Sequence, residues 1–560
     1  VADFFNWTQK AQLRKRIVVR SGKTNSQRGR IFYLLIACFV FYASPWLVAR
    51  HHLSPDEANY DYFSTLLASR GKITSHMPAE VELGIRGLLP RAFVNNEKGQ
   101  AAPGVSPGLI FLLGLFKLAF PDSWALIVDP LLATVAIYLC YHLSRIILED
   151  DRGALWSALL LAVTPIFAWL ATSLLAGMLN LVLFLAGLLA LSKAVSENKK
   201  TYYIIFGACC GLLVWARYSS VIFLPALGFP IYWNWKRLRK RHLLLSLASG
   251  CFFIVLLMVY LNFLYGSPLA TGYPHSLHRG FSTLATSSIS GLSLGLELLL
   301  RPSLIWLRLN FLSIPVSFSL AAPVFVFSLV GLYLWVRRRR ITWLKASLGL
   351  VILLLPIWFF GNFMPYGYGD PEVARENFLT LGSSFLRYLL PLLALLPIWA
   401  TVALSAFAPS AQKPALLILI AFSLFTFVFA PWGLIEKTLA RLYFRNVSNF
   451  VLAHTGEKTV VLTCYWDVGL FPHRPVFTNT RSLSRQQLKE LTDSILNGGY
   501  SIAYVEHRMD KQVGQFLTTN YPVEIVGGPL EKKGSFMARL PWPKSHYPVV
   551  LYIVKAPSNK

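Results

Sequence analysis

Two adjacent carboxylates, Asp56 and Glu57, stand in the run Leu53-Ser-Pro-Asp56-Glu57-Ala-Asn-Tyr60-Asp61-Tyr62, directly after an apolar stretch at 31–48. A pair of acids at that place is costly against lipid and useful against an aqueous cavity. Facing water, a carboxylate can take the proton of a hydroxyl. A plainer role is open to Asp56 as well: it is well placed to cap a helix continuing through 62–69, since negative charge is stabilising at a helix N-terminus. Positive charge comes from two arginines. Arg217 closes the apolar run Gly211-Leu-Leu-Val-Trp-Ala-Arg217-Tyr218, and Arg387 opens another in Ser384-Phe-Leu-Arg387-Tyr388-Leu-Leu-Pro391. An arginine at membrane depth either finds a partner or snorkels to the interface. A lipid phosphate is the natural partner, because guanidinium matches phosphate through two parallel hydrogen bonds.

The elements that must position these residues are membrane helices. Of 560 residues, 55% are hydrophobic and 14% charged, with a mean hydropathy of +0.51. A soluble domain carries about 25% charged residues. The 16 Trp, 24 Tyr and 39 Phe fit interfacial belts. A net charge of +27 could point to nucleic acid. The basic residues instead fall in short runs between apolar stretches, as cytoplasmic anchors do, so no nucleic-acid partner is expected. Cys38, Cys140, Cys209, Cys210 and Cys251 lie in apolar stretches and Cys464 stands alone, giving neither a disulfide framework nor a metal spacing. No metal and no cofactor are expected.

Stretches of about 20 apolar residues are needed to span a bilayer. Eleven are read at 31–49, 124–146, 154–173, 176–194, 202–219, 220–234, 243–264, 309–336, 343–361, 386–407 and 413–432. With the basic leader 1–30 inside, the runs 236–241 and 337–340 also fall on the cytoplasmic side. The segments 50–123, 265–308 and 362–385 then face outward, as does everything after 434. Leu109–Phe120 is too short to span and is read as an interfacial or re-entrant helix. The expected organisation is a leader 1–30, a transmembrane unit 31–434 and an extracytoplasmic α/β domain 435–560. In that domain 459–464, 501–505 and 547–554 read as strands, and Ser484-Arg-Gln-Gln487 reads as a capping box opening a helix to Asn497.

Five segments, in order, resemble the bacterial relatives of the protein O-mannosyltransferases, which include the lipid A aminoarabinose transferases. They are Asp56-Glu57-x-x-Tyr60, Pro103-Gly104 before Leu109–Phe120, Gly211 to Arg217-Tyr218, Tyr265-Gly-Ser-Pro-Leu-Ala-Thr-Gly-Tyr273, and Arg387-Tyr388-Leu-Leu-Pro391. The resemblance covers residues 30–407 and leaves out the tail. It implies an all-α polytopic membrane protein of GT-C fold, a cavity at the outer membrane face and a sugar donor carried on polyprenyl phosphate. It also implies transfer with inversion to a glycan, lipid or protein hydroxyl at the plasma membrane. Asp56 takes the place of the base, with Glu57 beside it. Arg217 and Arg387 take that of the phosphate-binding groups, while Tyr60, Asp61, Tyr218, Tyr273 and Tyr388 are candidates to line the cavity. One departure stands out: many relatives carry a second acid at the outer start of the fourth span, where this chain has Ser173-Leu-Leu-Ala-Gly177-Met178. A transporter or flippase of a lipid-linked glycan could use the same charges, but it should show inverted repeats with broken helices, which the sequence lacks. A sensor or scaffold working through its outer domain is the third class.

Overall fold

The computed structural model describes residues 21–272, 316–338, 349–361, 381–506, 511–526 and 550–555, apart from single residues and pairs within them. Most of the segments 265–308 and 362–385, and with them Tyr273, lie outside the described residues, as does Cys464. The chain opens with α1 (Ser21–Val48), which reaches back into the basic leader, and α2 (Pro55–Arg70). The segment 50–123 continues with α3 (Pro78–Leu83), the hairpin β1 (Phe93–Asn95) and β2 (Ala101–Pro103), and α4 (Pro107–Ala119). There follow α5 (Val128–Leu148), α6 (Asp151–Val163), α7 (Pro165–Ala171), α8 (Gly177–Glu197), α9 (Lys200–Ala216), α10 (Leu224–Trp233) and α11 (Lys240–Tyr265). Beyond them lie α12 (Phe325–Arg338), α13 (Ser384–Tyr388), α14 (Leu390–Leu393), α15 (Leu396–Leu404), α16 (Pro409–Phe429) and α17 (Leu434–His454).

Among the described residues five helical stretches are long and apolar enough to cross a membrane, and a sixth if the bent pair α6–α7 is one span. The chain is a multi-pass membrane protein. Two expected spans are broken. The stretch 154–173 bends by 65° between α6 and α7, because Thr164, with ψ 121, precedes Pro165 and is barred from the helical region. The stretch 386–407 is divided into α13, α14 and α15, with Pro391 and Pro397 each in the first turn of a new helix.

Helices α9 and α11 approach closely through Gly207 and Gly211, four residues apart on α9. A Cβ on Gly207 would collide with the Ser246 carbonyl, and one on Gly211 would lie 2.7 Å from the Gly250 carbonyl. Lipid is as apolar as leucine, so this seam is held by backbone proximity and not by water exclusion. The opposite side of α11 stays uncovered, with Val255, Val259 and Phe263 all more than half exposed.

After α17 come β3 (Thr459–Leu462), β4 (Val476–Phe477), α18 (Arg485–Asn497), β5 (Ser501–Glu506), α19 (Lys511–Asn520), β6 (Val523–Val526) and β7 (Val550–Val554). The strands make one sheet in the order β4-β3-β5-β7-β6. Strand β3 runs parallel to β4 and β5, and β7 antiparallel to β5 and β6. The capping box at Ser484 and Gln487 is formed in both directions. Side chains alternate between faces, as a strand requires. Val460, Leu462, Ile502 and Tyr504 pack under α18 and α19, together with Ala79 of α3. Val461, Ala503, Val505 and Leu551 pack against Tyr443, Val447 and Val451 of α17. The sheet is therefore seated on the segment 50–123. Arg91 fastens it there: its backbone N–H, Nε and Nη2 all donate to the fully buried Asp467 carboxylate, at 2.7, 3.0 and 2.7 Å.

Candidate functional site

Helix α2 begins where the sequence encodes a start. Ser54 is the N-cap, its hydroxyl accepting from the Glu57 N–H at 3.2 Å, Pro55 occupies the first turn, and Gly71 closes the helix at φ 62. Capping thus falls to Ser54 and not to Asp56. The three acids of this helix meet different fates. Glu57 is buried, its Oε2 accepting from the Leu53 N–H at 2.7 Å and its Oε1 from the Leu174 N–H at 3.1 Å. Burial raises its pKa, but the charges of Arg441, His52 and Lys437 and the Leu53 N–H outweigh it and hold the carboxyl below its ordinary range. Asp61 is bonded on both oxygens, to Lys117 Nζ at 2.6 Å and to His52 Nε2 at 3.1 Å. Burial opposes its ionisation, yet these two partners hold it well below the carboxylate range. Asp56 is half-buried in the first turn and takes no hydrogen bond or ion pair among the described residues.

The turn between α7 and α8 is where the sequence shows no acid of its own. The fold brings two acids to it. Glu57 meets the Leu174 N–H, and Asp129, fully buried at the start of α5, meets the Leu175 N–H through Oδ2 at 2.8 Å. Backbone N–H groups entering a helix away from water need such acceptors. Two cations of α17 approach the same turn. Lys437 Nζ donates to the Trp169 carbonyl at 2.8 Å, Thr172 Oγ1 at 2.9 Å and Ser173 Oγ at 2.6 Å. Arg441 Nη2 donates to the Thr172 carbonyl at 2.8 Å and lies 3.9 Å from Glu57 Oε1. The Arg441 guanidinium rests 3.6 Å from the ring centre of Trp46, at the end of α1.

Sequence reasoning missed Asp129, Lys437 and Arg441. An ionisable residue inside an expected span was the available signal for Asp129. For the other two it was the four-residue spacing that puts them on one helix face.

The arginines gather at another edge. Arg217, buried where α9 ends, has its guanidinium carbon 3.7 Å from the ring centre of Tyr388. Arg387, next to that tyrosine, donates from Nη2 to Ser384 Oγ at 2.6 Å. Its charge also acts on Lys437. The Tyr218 N–H donates to Ser106 Oγ at 3.3 Å, tying the end of α9 to the start of α4. Tyr60 is buried in the core with Phe63 and Phe93. The segments at 103 and 265 serve one junction. Tyr265 donates to the Pro103 carbonyl, and a Cβ on Gly272 would lie 2.7 Å from the Gly104 Cα. A separate cavity of about 310 Å³ opens beside α2, between His52, Asp61 and Arg70 on one wall and Val468, Phe471 and Pro472 on the other. Among the described residues no group of three His, Cys, Asp or Glu side chains is arranged to hold a metal.

The fold has a counterpart among solved structures. ArnT from Cupriavidus metallidurans, bound to undecaprenyl phosphate, superposes with a TM-score of 0.56 over 93% of this chain and 97% of its own, at 12% identity. The chain has the GT-C fold. The apo state of the same ArnT matches with a TM-score of 0.50 over 94% and 98% of the two chains, again at 12% identity. Residues 105–261 of this GT-C chain match the family described as dolichyl-phosphate-mannose-protein mannosyltransferase. That stretch runs from just before α4 into α11 and holds Asp129, Leu174 and Arg217. No curated protein sequence matches.

Proposed function

We propose that the chain is an integral membrane glycosyltransferase that moves a sugar from a polyprenyl-phosphate donor to an acceptor hydroxyl, with inversion. The acceptor oxygen bonds to the anomeric carbon as the bond from that carbon to phosphate oxygen breaks. Asp56 receives the acceptor proton, and the polyprenyl phosphate leaves into the charge of Arg217 and Arg387. Tyr388, under the Arg217 guanidinium, holds that side chain in place. Of the remaining cavity candidates, Asp61 lines the cavity beside α2 and Tyr218 stands where α9 ends, while Tyr60 packs in the core and Tyr273 lies outside the described residues. The observation that carries the reading is the fate of the three acids of α2. Glu57 and Asp61 are consumed by fixed partners, and Asp56 is left available at the start of the helix. The ArnT of the same fold is bound to undecaprenyl phosphate, the class of lipid that the two arginines suit.

The basic runs support an N-terminus in the cytoplasm, an extracytoplasmic tail and insertion in the plasma membrane with eleven spans. On this reading the division is 1–30, 31–434 and 435–560, and the acceptor is a glycan, lipid or protein carrying a free hydroxyl.

Asp56→Asn tests the base. Asparagine keeps the volume and removes charge and basicity, so turnover should fall about 100-fold while undecaprenyl phosphate still binds. A purified Asp56→Asn protein that turns over like the parent would sink the assignment.

A further inference from the structure

We propose that Arg441, supported by Lys437 one turn earlier on α17, is a positioning residue that aims the Asp56 turn through Glu57. The inference rests on Asp56 being the base. Lys437 and Arg441 lie four residues apart and so share a face. Both are 1% exposed. Lys437 uses all three of its donors on the last turn of α7 and the turn after it, at the Trp169 carbonyl and the Thr172 and Ser173 hydroxyls. That fixes α17 to the turn. Arg441 then reaches past it to Glu57.

Glu57 in turn grips the chain on both sides of Asp56. Its own N–H is held by Ser54 Oγ, its Oε2 holds the Leu53 N–H, and its Oε1 holds the Leu174 N–H. Trp46 closes the set, its ring against the guanidinium. Four pieces of chain therefore meet at one ion pair: the end of α1, the first turn of α2, the turn before α8, and the helix that leads into the tail.

Stability alone is a poor reason for this construction. Buried ion pairs replaced by well-packed apolar residues often leave a protein as stable or more so. Arg441 is moreover incompletely satisfied, its Nε and Nη1 having no partner among the described residues. What such a pair does supply is direction. Glu57 has one arrangement that satisfies Leu53, Leu174 and Arg441 together, and that arrangement fixes the backbone carrying Asp56. A base misplaced by about 1 Å can lower turnover on the order of 100-fold. The tail is thereby part of the catalytic unit, because α17 continues directly into its sheet through β3.

The test uses purified full-length protein, with Arg441→Gln, Arg441→Lys and Asp56→Asn prepared in parallel. Turnover of an undecaprenyl-phosphate-linked hexose, affinity for undecaprenyl phosphate and backbone hydrogen exchange are measured on each. In Arg441→Gln we expect kcat to fall about 30-fold or more, with donor KM within about a factor of two. Exchange at residues 53–58 and 172–176 should quicken about tenfold while 459–462 stays protected. Arg441→Lys should recover part of both losses, since a point charge replaces the fork incompletely. Parent-like kcat and exchange in Arg441→Gln overturn the proposal, and so does a fall in kcat with exchange at 53–58 unmoved. Should Arg441→Gln fail to fold, the same two readouts on Arg441→Lys decide. Normal turnover in Asp56→Asn would instead remove the base assignment, and the exchange measurement would still judge the clamp.

Discussion

Helix α9 is built in two ways along its length. Its middle, at Gly207 and Gly211, meets α11 with backbone against backbone and contributes no charge. At its end stands Arg217, buried against Tyr388. In the middle, lipid surrounds both helices and offers no gain for hiding one leucine from another, so close fit does the work. At the end of α9, and separately at the turn before α8, helices start and stop inside the protein. Their free N–H and C=O groups need ionic or hydroxyl partners. The difference teaches that shape and chemistry are carried by separable parts, and substitutions should separate them.

The largest effect is expected where the ionic network is cut. Glu57→Ala strands the Arg441 guanidinium and two backbone N–H groups, and should destabilise the protein by about 3–5 kcal/mol. Thermal unfolding in detergent reads this; a parent-like midpoint would show that the network is not a single unit. Next comes the donor side. Arg217→Ala should weaken undecaprenyl phosphate binding by about 1.5–3 kcal/mol, with lysine restoring only part. Equal affinity in the alanine variant removes Arg217 from the phosphate site.

Gly207→Val addresses the seam itself. A side chain there meets the Ser246 carbonyl, a backbone atom that has nowhere to go, and about 1–3 kcal/mol of stability should be lost. The comparison predicts that the folded fraction keeps its affinity for undecaprenyl phosphate. Loss of affinity in step with stability would mean that shape and chemistry are not separable along α9.

The smallest effect concerns pH. His51 packs against Gly469 of the tail, and burial, then the neighbouring charge of His52, push its pKa down from 6.5 to about 4. The unfolded chain takes up this proton first. Stability should therefore be lost as pH falls from about 6.5 to about 4, and remain level above that window. Unfolding midpoints measured across this range should flatten in His51→Gln.

Much of this was legible beforehand. The capping box at Ser484 could be read from four residues, a local pattern with a local cause, whereas the cap of α2, read as Asp56, belongs to Ser54. The breaks at Pro165, Pro391 and Pro397 lay inside apolar runs whose hydropathy never falters, so a length criterion passed over them. The partners of Glu57 were hidden for another reason. Leu174 is 117 residues away and contributes only a backbone N–H, which no side-chain motif records. Arg441 lies further still, in a tail that the resemblance did not cover.

The bond between Arg91 and Asp467 joins positions 376 residues apart. At a synthesis rate of about 5–20 residues per second, the segment bearing Arg91 waits roughly 20–75 s for its partner to be made. Until then α3 has no sheet to lie on, and the Asp56 turn has no Arg441. The two parts of the chain thus meet late, after everything between them has been made. A ribosome that stalls between α11 and α17 leaves in the membrane a bundle whose α2 turn still lacks its anchor.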